Sequence, residues 1–353
     1  MLKHLELTNF RNYDKKSFDF GKTTIFIGPN GIGKTNVMEA VYLLSTGRSW
    51  RTSHDDETIR WAEDFATIDA KLDDDIKTLR LVMQKVQDGA PLLKTIKIND
   101  VKNKLIELLG KMPTVLFSPE EIRLADGAPQ LRRRFLDILL CQTDRKYTVH
   151  LMELAKVLKN RNKLLLHIKM KRSKPDELDF WDEKLIENGK FIIENRGEAI
   201  KALNSKVGGI YQNISGHKEK LEIRYHPSVD VGHFSDILVA AREREIEYTS
   251  TLHGPHRDDF VFLLDSRDIA TFGSRGEFRS AVLSLKIGEL DYLKSKLEAE
   301  PILLLDDIFS ELDKNRRMHL AKIVESSQTI ITTTDLDHIE KGLRETAKIV
   351  VLS

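Results

Sequence analysis

Residues 28–35 of the chain read Gly28-Pro29-Asn30-Gly31-Ile32-Gly33-Lys34-Thr35. They fit the pattern G-x-x-x-x-G-K-[ST], whose glycines let the backbone wrap closely around phosphate groups. The β-branched run 23–27 precedes this loop, and apolar residues at helical spacing follow it. The sequence therefore predicts the strand–loop–helix arrangement of an ATP-binding loop.

The residues of the loop have expected roles in binding the nucleotide and Mg²⁺. Lys34 would neutralise the β- and γ-phosphates, and the Thr35 hydroxyl would ligate Mg²⁺. Backbone amides at the start of the following helix would face the negative charge. Further residues expected to contact the nucleotide are Gly28, Asn30, Gly31, Gly33 and Asn36.

A second acidic site is indicated late in the chain. The apolar run 302–305 is typical of a central parallel strand and ends in Asp306 and Asp307. Because ligands bind at the carboxyl ends of such strands, Asp306 would reach the Mg²⁺ near Thr35, and Asp307 would orient or deprotonate the attacking water. The alternative is that the two acids only cap the next turn. The separation of 271 positions between Thr35 and Asp306 predicts a lobe inserted between the two halves of the site.

The remaining patterns predict an α/β fold with a mixed sheet, an antiparallel β-subdomain and an inserted, mostly helical lobe. We expect strands within 2–27, antiparallel strands over 65–101 with turns near 73–75 and 88–89, and strands near 221–225, 260–264 and 329–332. Residues 120–215 are predicted to be mostly helical with a break at 173–175, and another helix covers 277–297. The expected division is an ATP-binding lobe over 1–118, a helical arm over 119–298 and the second half of the ATP-binding lobe over 299–353.

Composition excludes several classes of protein. Lys plus Arg is 56 and Asp plus Glu is 55 among 353 residues, so the net charge of +1 indicates no partner by itself. The single Cys141 leaves no internal disulfide and no zinc site of paired cysteines. No apolar run approaches the roughly 18 residues that cross a bilayer. The first residues alternate like a strand and lack the pattern of a signal peptide, so we expect a cytoplasmic protein.

One segment is strongly basic. Residues 131–175 contain 13 Lys or Arg and 3 Asp or Glu. On one predicted helix Leu151, Leu154, Ala155, Leu158 and Leu165 share a face, opposite a basic ridge that suits contact with DNA phosphates. The alternative is a solvated helix face. The candidate DNA-contacting residues are Arg132, Arg133, Arg134, Lys156, Lys159 and Lys163.

The motifs together resemble the SMC-like branch of ABC-type ATPases, and more narrowly the RecF family of bacterial recombination mediators. The resemblance runs from near the first residue to about residue 335. Besides the phosphate loop, the stretches that carry it are Leu7–Tyr13, Gly47-Arg48-Ser49, Phe117-Ser118-Pro119-Glu120-Glu121, Gly254-Pro255-His256-Arg257-Asp258-Asp259, Ser274-Arg275-Gly276-Glu277 and Leu303–Asp313.

The resemblance implies an ATP-dependent homodimer. In such ATPases each nucleotide lies between the phosphate loop of one subunit and the signature motif of the other. Ser274 and Gly276 match the signature position, although the same residues also suit a plain helix cap. Arg11 matches a residue that is directed toward the nucleotide, with a surface arginine in a turn as the alternative.

The chain also departs from the family pattern. Asp307 stands where the catalytic acid is usually Glu, and its shorter side chain is consistent with slow turnover. We expect a weak, DNA-stimulated ATPase of the ABC type. The signature reads Gly273-Ser274-Arg275-Gly276-Glu277 instead of Leu-Ser-Gly-Gly-Gln. Thr332-Thr333-Thr334-Asp335 stands where a switch histidine is expected.

The resemblance further implies binding at junctions of duplex and single-stranded DNA, with RecR and RecO as partners in loading the recombinase. Two other functions compete with this one. A nucleotide-binding subunit of a transporter would need a membrane partner and the switch histidine. An SMC-like structural or nuclease-associated ATPase would need sustained heptads, which residues 120–215 lack, or an added nuclease domain, for which we expect no room after Thr334.

Overall fold

A computed structural model of the protein describes residues 1–73, 76–86, 91–216 and 218–353. Residues 74–75 and 88–89, where turns are expected, lie outside the described residues. The strands are β1 Leu2–Phe10, β2 Tyr13–Asp19, β3 Thr23–Ile27, β4 Phe65–Leu72, β5 Thr78–Gln84, β6 Leu93–Ile98, β7 Val101–Asn103, β8 Thr114–Phe117, β9 Leu221–His226, β10 Asp259–Leu264, β11 Arg267–Asp268, β12 Ile302–Asp306, β13 Thr329–Thr333 and β14 Lys348–Val351. The helices are α1 Lys34–Thr46, α2 Leu105–Leu108, α3 Arg123–Asp126, α4 Pro129–Thr143, α5 Arg145–Lys169, α6 Leu178–Ser215, α7 Phe234–Tyr248, α8 Ile269–Phe272, α9 Arg275–Lys296, α10 Ile308–Glu311, α11 Lys314–Val324 and α12 Lys341–Thr346.

The chain divides into two compact units. Unit 1 comprises Met1–Ile122, Asn213–His217 and Val282–Ser353, and unit 2 comprises Arg123–Gln212 and Lys218–Ala281. Both the phosphate loop and the late acidic strand belong to unit 1. The basic segment and the start of α9 belong to unit 2.

A five-stranded parallel sheet forms the centre of unit 1. Its strand order is β14-β3-β13-β12-β8, and all four pairings are parallel. The residues of β12 and β13 are buried throughout, as expected for strands covered on both faces. Because β13 lies between β3 and β12, its carboxyl end separates the phosphate loop from the two acids.

The second sheet of unit 1 is antiparallel. Its order is β2-β1-β4-β5-β6-β7. In β5 the residues Leu79, Leu81 and Met83 are fully buried while their neighbours are not, the alternation of a sheet with one covered face. The predicted α/β fold with an antiparallel β-subdomain is confirmed. The central sheet, predicted to be mixed, is parallel in all of its described pairings, and the antiparallel strands form separate sheets.

Unit 2 is mostly helical and contains the small antiparallel sheet β11-β10-β9. The buried positions of α5 include Leu154, Val157 and Leu165. The predicted apolar face of this helix needs one correction, because Ala155 is exposed. Arg161 lies on the buried face instead, where Asp182 and Glu245 neutralise its guanidinium at 2.8 and 2.6 Å.

Sequence patterns do not predict several of the short elements, among them β8, β14 and α12. A four-residue strand such as β8 is too short to show an alternation, and its pairing with β12 alone defines it. None of the helices in the described part of the chain has the length and apolar character needed to span a membrane.

Candidate nucleotide site

The phosphate loop is held in shape by the turn between β1 and β2. Tyr13 donates its hydroxyl to the Gly33 carbonyl at 3.1 Å, and Asn12 Nδ2 donates to the Ile32 carbonyl at 2.9 Å. Gly33 adopts φ 113°, a conformation that favours glycine. A Cβ at this position would also lie 2.7 Å from the Tyr13 hydroxyl. Residue 33 must therefore be glycine for both conformational and steric reasons.

Lys34 is buried inside the loop that it follows. Its Nζ donates to the carbonyl oxygens of Gly28 at 2.6 Å and Pro29 at 2.9 Å. Burial lowers the pKa of Lys34, and the nearby carboxylates of Asp307 and Asp306 oppose that effect. The ammonium group is thus already placed where phosphates would enter, and phosphate oxygens would exchange for the two carbonyls.

Thr35 and Asp306 are brought together as the sequence predicts. The Thr35 hydroxyl donates to Asp306 Oδ1 at 2.9 Å across 271 residues of sequence. The same carboxylate oxygen accepts the hydroxyl of Thr332 at 2.7 Å. Burial raises the pKa of Asp306, whereas the two hydroxyl hydrogen bonds favour its charged form.

Asp307 adopts the left-handed conformation, with φ 49°. Its amide donates to Thr332 Oγ1 at 3.0 Å, so one threonine orients both acids. Asp307 Oδ1 is buried and has no hydrogen-bond partner in the part of the chain that the structure describes. Burial raises the pKa of Asp307, and the positive charge of Lys34 opposes that shift. This geometry leaves one carboxylate oxygen available to a molecule that enters the site.

The donor set fits Mg²⁺. Thr35 Oγ1 and Asp306 Oδ1 are hard oxygen ligands at a hydrogen-bonding distance, where a shared cation can replace the proton. No group of three or more His, Cys, Asp or Glu suited to a metal occurs among the described residues. The pair Thr35 and Asp306 provides two protein ligands, and Mg²⁺ usually takes one or two together with phosphates and waters.

The signature residues lie in unit 2, at the beginning of α9. Ser274 is exposed; its amide donates to Glu277 Oε2 at 2.6 Å, and its hydroxyl accepts from the Glu277 amide at 3.3 Å. This reciprocal pair is a capping box. The helix-cap alternative is therefore realised within the single chain, and the exposed Ser274 is also accessible to a second copy.

The candidate DNA-contacting residues of unit 2 fall into two groups. Lys156, Lys159 and Lys163 are exposed on α5. Arg132 is buried, and its guanidinium makes two hydrogen bonds to the Asp259 carboxylate at 2.7 and 2.8 Å. We leave Arg132 out of the DNA-contacting group for this reason.

The two other arginines of this group are partly buried. Arg133 donates to the Asp258 carbonyl at 2.7 Å, and burial lowers its pKa. Arg134 lies beside it on α4 with intermediate exposure.

Comparison with known proteins agrees with these features. The family model described as the RecF/RecN/SMC N terminal domain matches residues 1–351. A protein of Agathobacter rectalis named DNA replication and repair protein RecF is 40% identical, over 99% of this chain and 96% of that protein. A Bacillus thuringiensis protein of the same name is also 40% identical, with the same coverage. The chain belongs to the RecF family.

Solved structures show the same relationship. A structure of the recombination mediator protein RecF-ATP in the RecFOR pathway has a TM-score of 0.88 at 35% identity, covering 96% of this chain and 93% of that chain. An Smc head bound to a winged-helix domain of ScpA has a TM-score of 0.54 at 15% identity, covering 99% and 93%, and shows only a shared fold. The resemblance drawn from the motifs is confirmed.

In this RecF-family chain, sequence patterns do not indicate a buried ion cluster beside the phosphate loop. Arg11 makes two hydrogen bonds to the carboxylate of Glu39 at 2.6 and 2.9 Å, and Arg51 donates to the same carboxylate at 3.1 Å. Glu39 is fully buried on α1. Arg51 also donates to Asn36 Oδ1 at 2.7 Å. Arg11 and Asn36 are thus joined in one network through Glu39 and Arg51. A fully buried acid is almost always paired, but the burial of Glu39 becomes visible only in the folded chain.

Proposed function

We propose that the chain binds and slowly hydrolyses Mg²⁺-ATP and that bound ATP brings two copies together. The observation that carries the proposal is the hydrogen bond from Thr35 to Asp306, which joins the phosphate loop to the late acidic strand. Lys34, buried in the loop, supplies the positive charge for the phosphates. The related solved structure of RecF-ATP supports the choice of nucleotide.

Each residue of the site has a proposed role in hydrolysis. Thr35 and Asp306 would hold Mg²⁺, which when bound neutralises charge on the phosphate oxygens. Lys34 binds the β- and γ-phosphates in place of the loop carbonyls. Asp307 Oδ1 accepts a proton from a water that attacks the γ-phosphorus, and the bond to the bridging oxygen breaks as ADP leaves. The left-handed backbone of Asp307 and its bond to Thr332 fix the direction of the carboxylate.

The second copy would complete the site with its signature motif. Ser274 and the amide of Gly276 stand at the start of the 22-residue helix α9, where partial positive charge favours a phosphate. The exposed position of Ser274 supports this role. The three-segment division at residues 118 and 298 stays a prediction.

The DNA-related part of the proposal rests on the basic residues and on the family. We propose that the ATP-bound dimer clamps duplex DNA near junctions with single strands, using Lys156, Lys159 and Lys163 for phosphate contacts. Relatives named DNA replication and repair protein RecF, and the solved RecF structure from the RecFOR pathway, support a role in recombinational repair with RecR and RecO as partners in loading the recombinase. DNA would stimulate the ATPase by favouring the closed dimer.

Sedimentation velocity with and without ATP and Mg²⁺ tests the composite site. The wild type should shift from monomer to dimer with ATP at micromolar concentration, and the Lys34→Met variant should remain monomeric. A wild-type protein that binds ATP and stays monomeric would contradict the proposal.

Coupling to DNA needs a separate measurement. Affinity for a gapped duplex, followed by fluorescence anisotropy in Mg²⁺, should rise when ATP is added and fall steeply with salt. Equal affinity with and without ATP would show that ATP does not control DNA binding.

A further inference from the structure

The end of helix α5 exposes two apolar side chains within a strongly basic surface. Leu166 and Met170 are 39% and 50% exposed. From residue 154 to residue 175 the chain has no acidic residue and eight Lys or Arg, all of them exposed except Arg161. A single exposed apolar side chain needs no explanation. Two adjoining ones among seven cations point to a ligand that combines an apolar face with negative charge.

The two apolar side chains continue the stripe of lysines to which we assign the DNA phosphates. Residues three and four positions apart are neighbours along one face of a helix. At this spacing the exposed stripe of α5 runs through Lys156, Lys159, Lys163, Leu166 and Met170. Met170 follows the last helical residue, but its amide still donates to the Leu166 carbonyl at 3.0 Å, so it keeps the helical register. The stripe is therefore cationic along its length and apolar at its C-terminal end.

The turn that ends α5 fixes Met170 and adds cations beside it. The Arg172 amide donates to the His167 carbonyl at 2.8 Å, and the Lys171 amide donates to the Ile168 carbonyl at 2.8 Å. These are the two hydrogen bonds of a Schellman motif, whose left-handed position is usually glycine. Here that position is Lys171, with φ 56°. A positive charge is thus kept beside Met170 although its backbone conformation costs free energy that glycine would avoid.

The exposed pair is separate from the core of unit 2. Leu165 and Ile168, on the inner side of the same helical turns, form a buried cluster with Leu178. This cluster holds the end of α5 in place and leaves Leu166 and Met170 outside it. Their exposure is therefore a property of a firmly packed helix end.

We propose that Leu166 and Met170 cover the last base pair of a duplex at its junction with a single strand. The inference rests on the proposed DNA-binding function and adds the residues that recognise the junction. Phosphate contacts are possible all along a duplex and do not distinguish its end. Only at a junction is the flat apolar face of a base pair exposed. The lysines of the stripe hold phosphates of the duplex, while Lys171 and Arg172 hold phosphates of the strand that continues beyond it.

The size of the apolar surface favours a base over a protein partner. Two side chains one helical turn apart form a contact about 5–6 Å across, which is comparable to one base. An amphipathic helix of a partner protein would need a groove that accepts anchors over two turns. Leu and Met are also among the side chains that DNA-binding proteins place against base steps.

Two DNAs separate contact with a junction from contact with phosphates. A duplex with a single-stranded overhang has a junction, whereas a relaxed, covalently closed circular duplex has none. In ATP and Mg²⁺, competition for a labelled overhang duplex should show that the wild type prefers the junction. We expect Leu166→Ser and Met170→Ser to lower the affinity for the overhang duplex about 5- to 30-fold. Their affinity for the closed circle should stay within about twofold of wild type, and Met170→Leu should behave like the wild type on both DNAs.

Met152→Ser is the matched control. Met152 is 54% exposed on the same face of α5, but it lies before the acid-free run and next to Glu153. Its replacement should leave both affinities unchanged. Lys163→Gln should weaken binding to both DNAs and lower the slope of log affinity against log salt. The substitutions of Leu166 and Met170 should keep that slope, because they remove no phosphate contact.

A junction preference that persists when Leu166 and Met170 are both replaced by Ser would overturn the inference. Equal loss of affinity for the two DNAs in that double variant would also overturn it, because the effect would then not depend on the junction. Equal binding of the wild type to both DNAs would have the same meaning. A wild type that binds neither DNA in the presence of ATP would contradict the proposed DNA binding itself.

Discussion

Thr332 donates its hydroxyl hydrogen bond to Asp306 Oδ1 at 2.7 Å from the neighbouring strand β13. The same hydroxyl oxygen accepts the amide of Asp307 at 3.0 Å. Because β13 lies between the strands that lead to the phosphate loop and to the acids, this one buried side chain orients both acids of the site.

Replacing Thr332 should therefore impair the site without removing either acid. We expect Thr332→Val to reduce the affinity for Mg²⁺ in the presence of ATP, or the rate of hydrolysis, by about 10- to 100-fold, the usual effect of losing a group that orients a metal ligand. Thr332→Ser keeps the hydroxyl and should restore most of the activity. Steady-state ATPase assays over a range of Mg²⁺ concentrations measure both effects.

Thr329→Val is the control for this experiment. Thr329 is equally buried at the other end of β13, and its hydroxyl donates to backbone carbonyls away from the acids. If Thr329→Val and Thr332→Val changed the Mg²⁺ dependence equally, the effect would come from the strand and not from Asp306.

The phosphate loop offers a matched pair of glycines. Gly31 has φ 82° and open space where a Cβ would stand, whereas Gly33 has φ 113° and would place a Cβ against Tyr13 and Asn12. Gly31→Ala should cost about 1 kcal/mol from backbone conformation alone. Gly33→Ala adds the steric clash and should abolish ATP binding, measured by calorimetric titration. Comparable ATP affinity in the two variants would show that the clash with Tyr13 and Asn12 is relieved without cost.

Local patterns in the sequence were sufficient to predict the phosphate loop and the two acids Asp306 and Asp307. The loop is a contiguous motif between a strand and a helix, and Asp306 ends an apolar run whose burial is visible from composition. The pairing of Thr35 with Asp306 followed because carboxyl ends of parallel strands share one edge of the sheet.

Contacts between distant residues could not be predicted in this way. Glu39 looks like an ordinary position of α1 in the sequence, yet it forms ion pairs with both Arg11 and Arg51 in the folded chain. Arg132 reads as part of a basic run, yet its partner Asp259 lies 127 residues away. No periodicity encodes which charged side chain is paired internally, because that depends on tertiary packing.

A largely buried ion triad in unit 1 predicts a pH effect on stability. Lys286 Nζ lies 3.0 Å from Glu121 Oε1 and 2.5 Å from Glu289 Oε2, so two carboxylates share one cation. Burial raises the pKa of Glu121 to about 7, with Lys286 opposing the shift and Glu289 adding to it. At pH values between 4.5, the ordinary pKa of this carboxyl, and about 7, its pKa in the folded protein, the folded state binds more protons than the unfolded state. The free energy of unfolding contributed by Glu121 therefore falls as the pH rises through that window.

Glu121→Gln should remove this dependence. Relative to the variant, the wild type is expected to lose about 1–3 kcal/mol of unfolding free energy between pH 5 and pH 8. Urea denaturation of both proteins at several pH values measures the difference. Glu325→Gln, at an exposed position of the same unit, serves as the control. A constant difference between wild type and Glu121→Gln over this range would show that Glu121 does not titrate there.

The basic residues of unit 2 predict opposite outcomes for two substitutions. Arg132→Gln removes the internal partner of Asp259 and should destabilise the chain by about 2–4 kcal/mol, in the range for breaking a largely buried ion pair. Lys159 is exposed on α5, so Lys159→Gln should leave stability unchanged and weaken binding to a gapped duplex in the presence of ATP. Each lost phosphate contact lowers the slope of log affinity against log salt by about 1.

Anisotropy titrations at three salt concentrations, together with thermal unfolding, separate the effect on DNA binding from the effect on stability. The Asp259 carboxylate already pairs with the Arg132 guanidinium, so we expect no DNA contact from Arg132. An unchanged slope of log affinity against log salt in Lys159→Gln, or a reduced slope in folded Arg132→Gln, would show that Arg132 and not Lys159 contacts DNA.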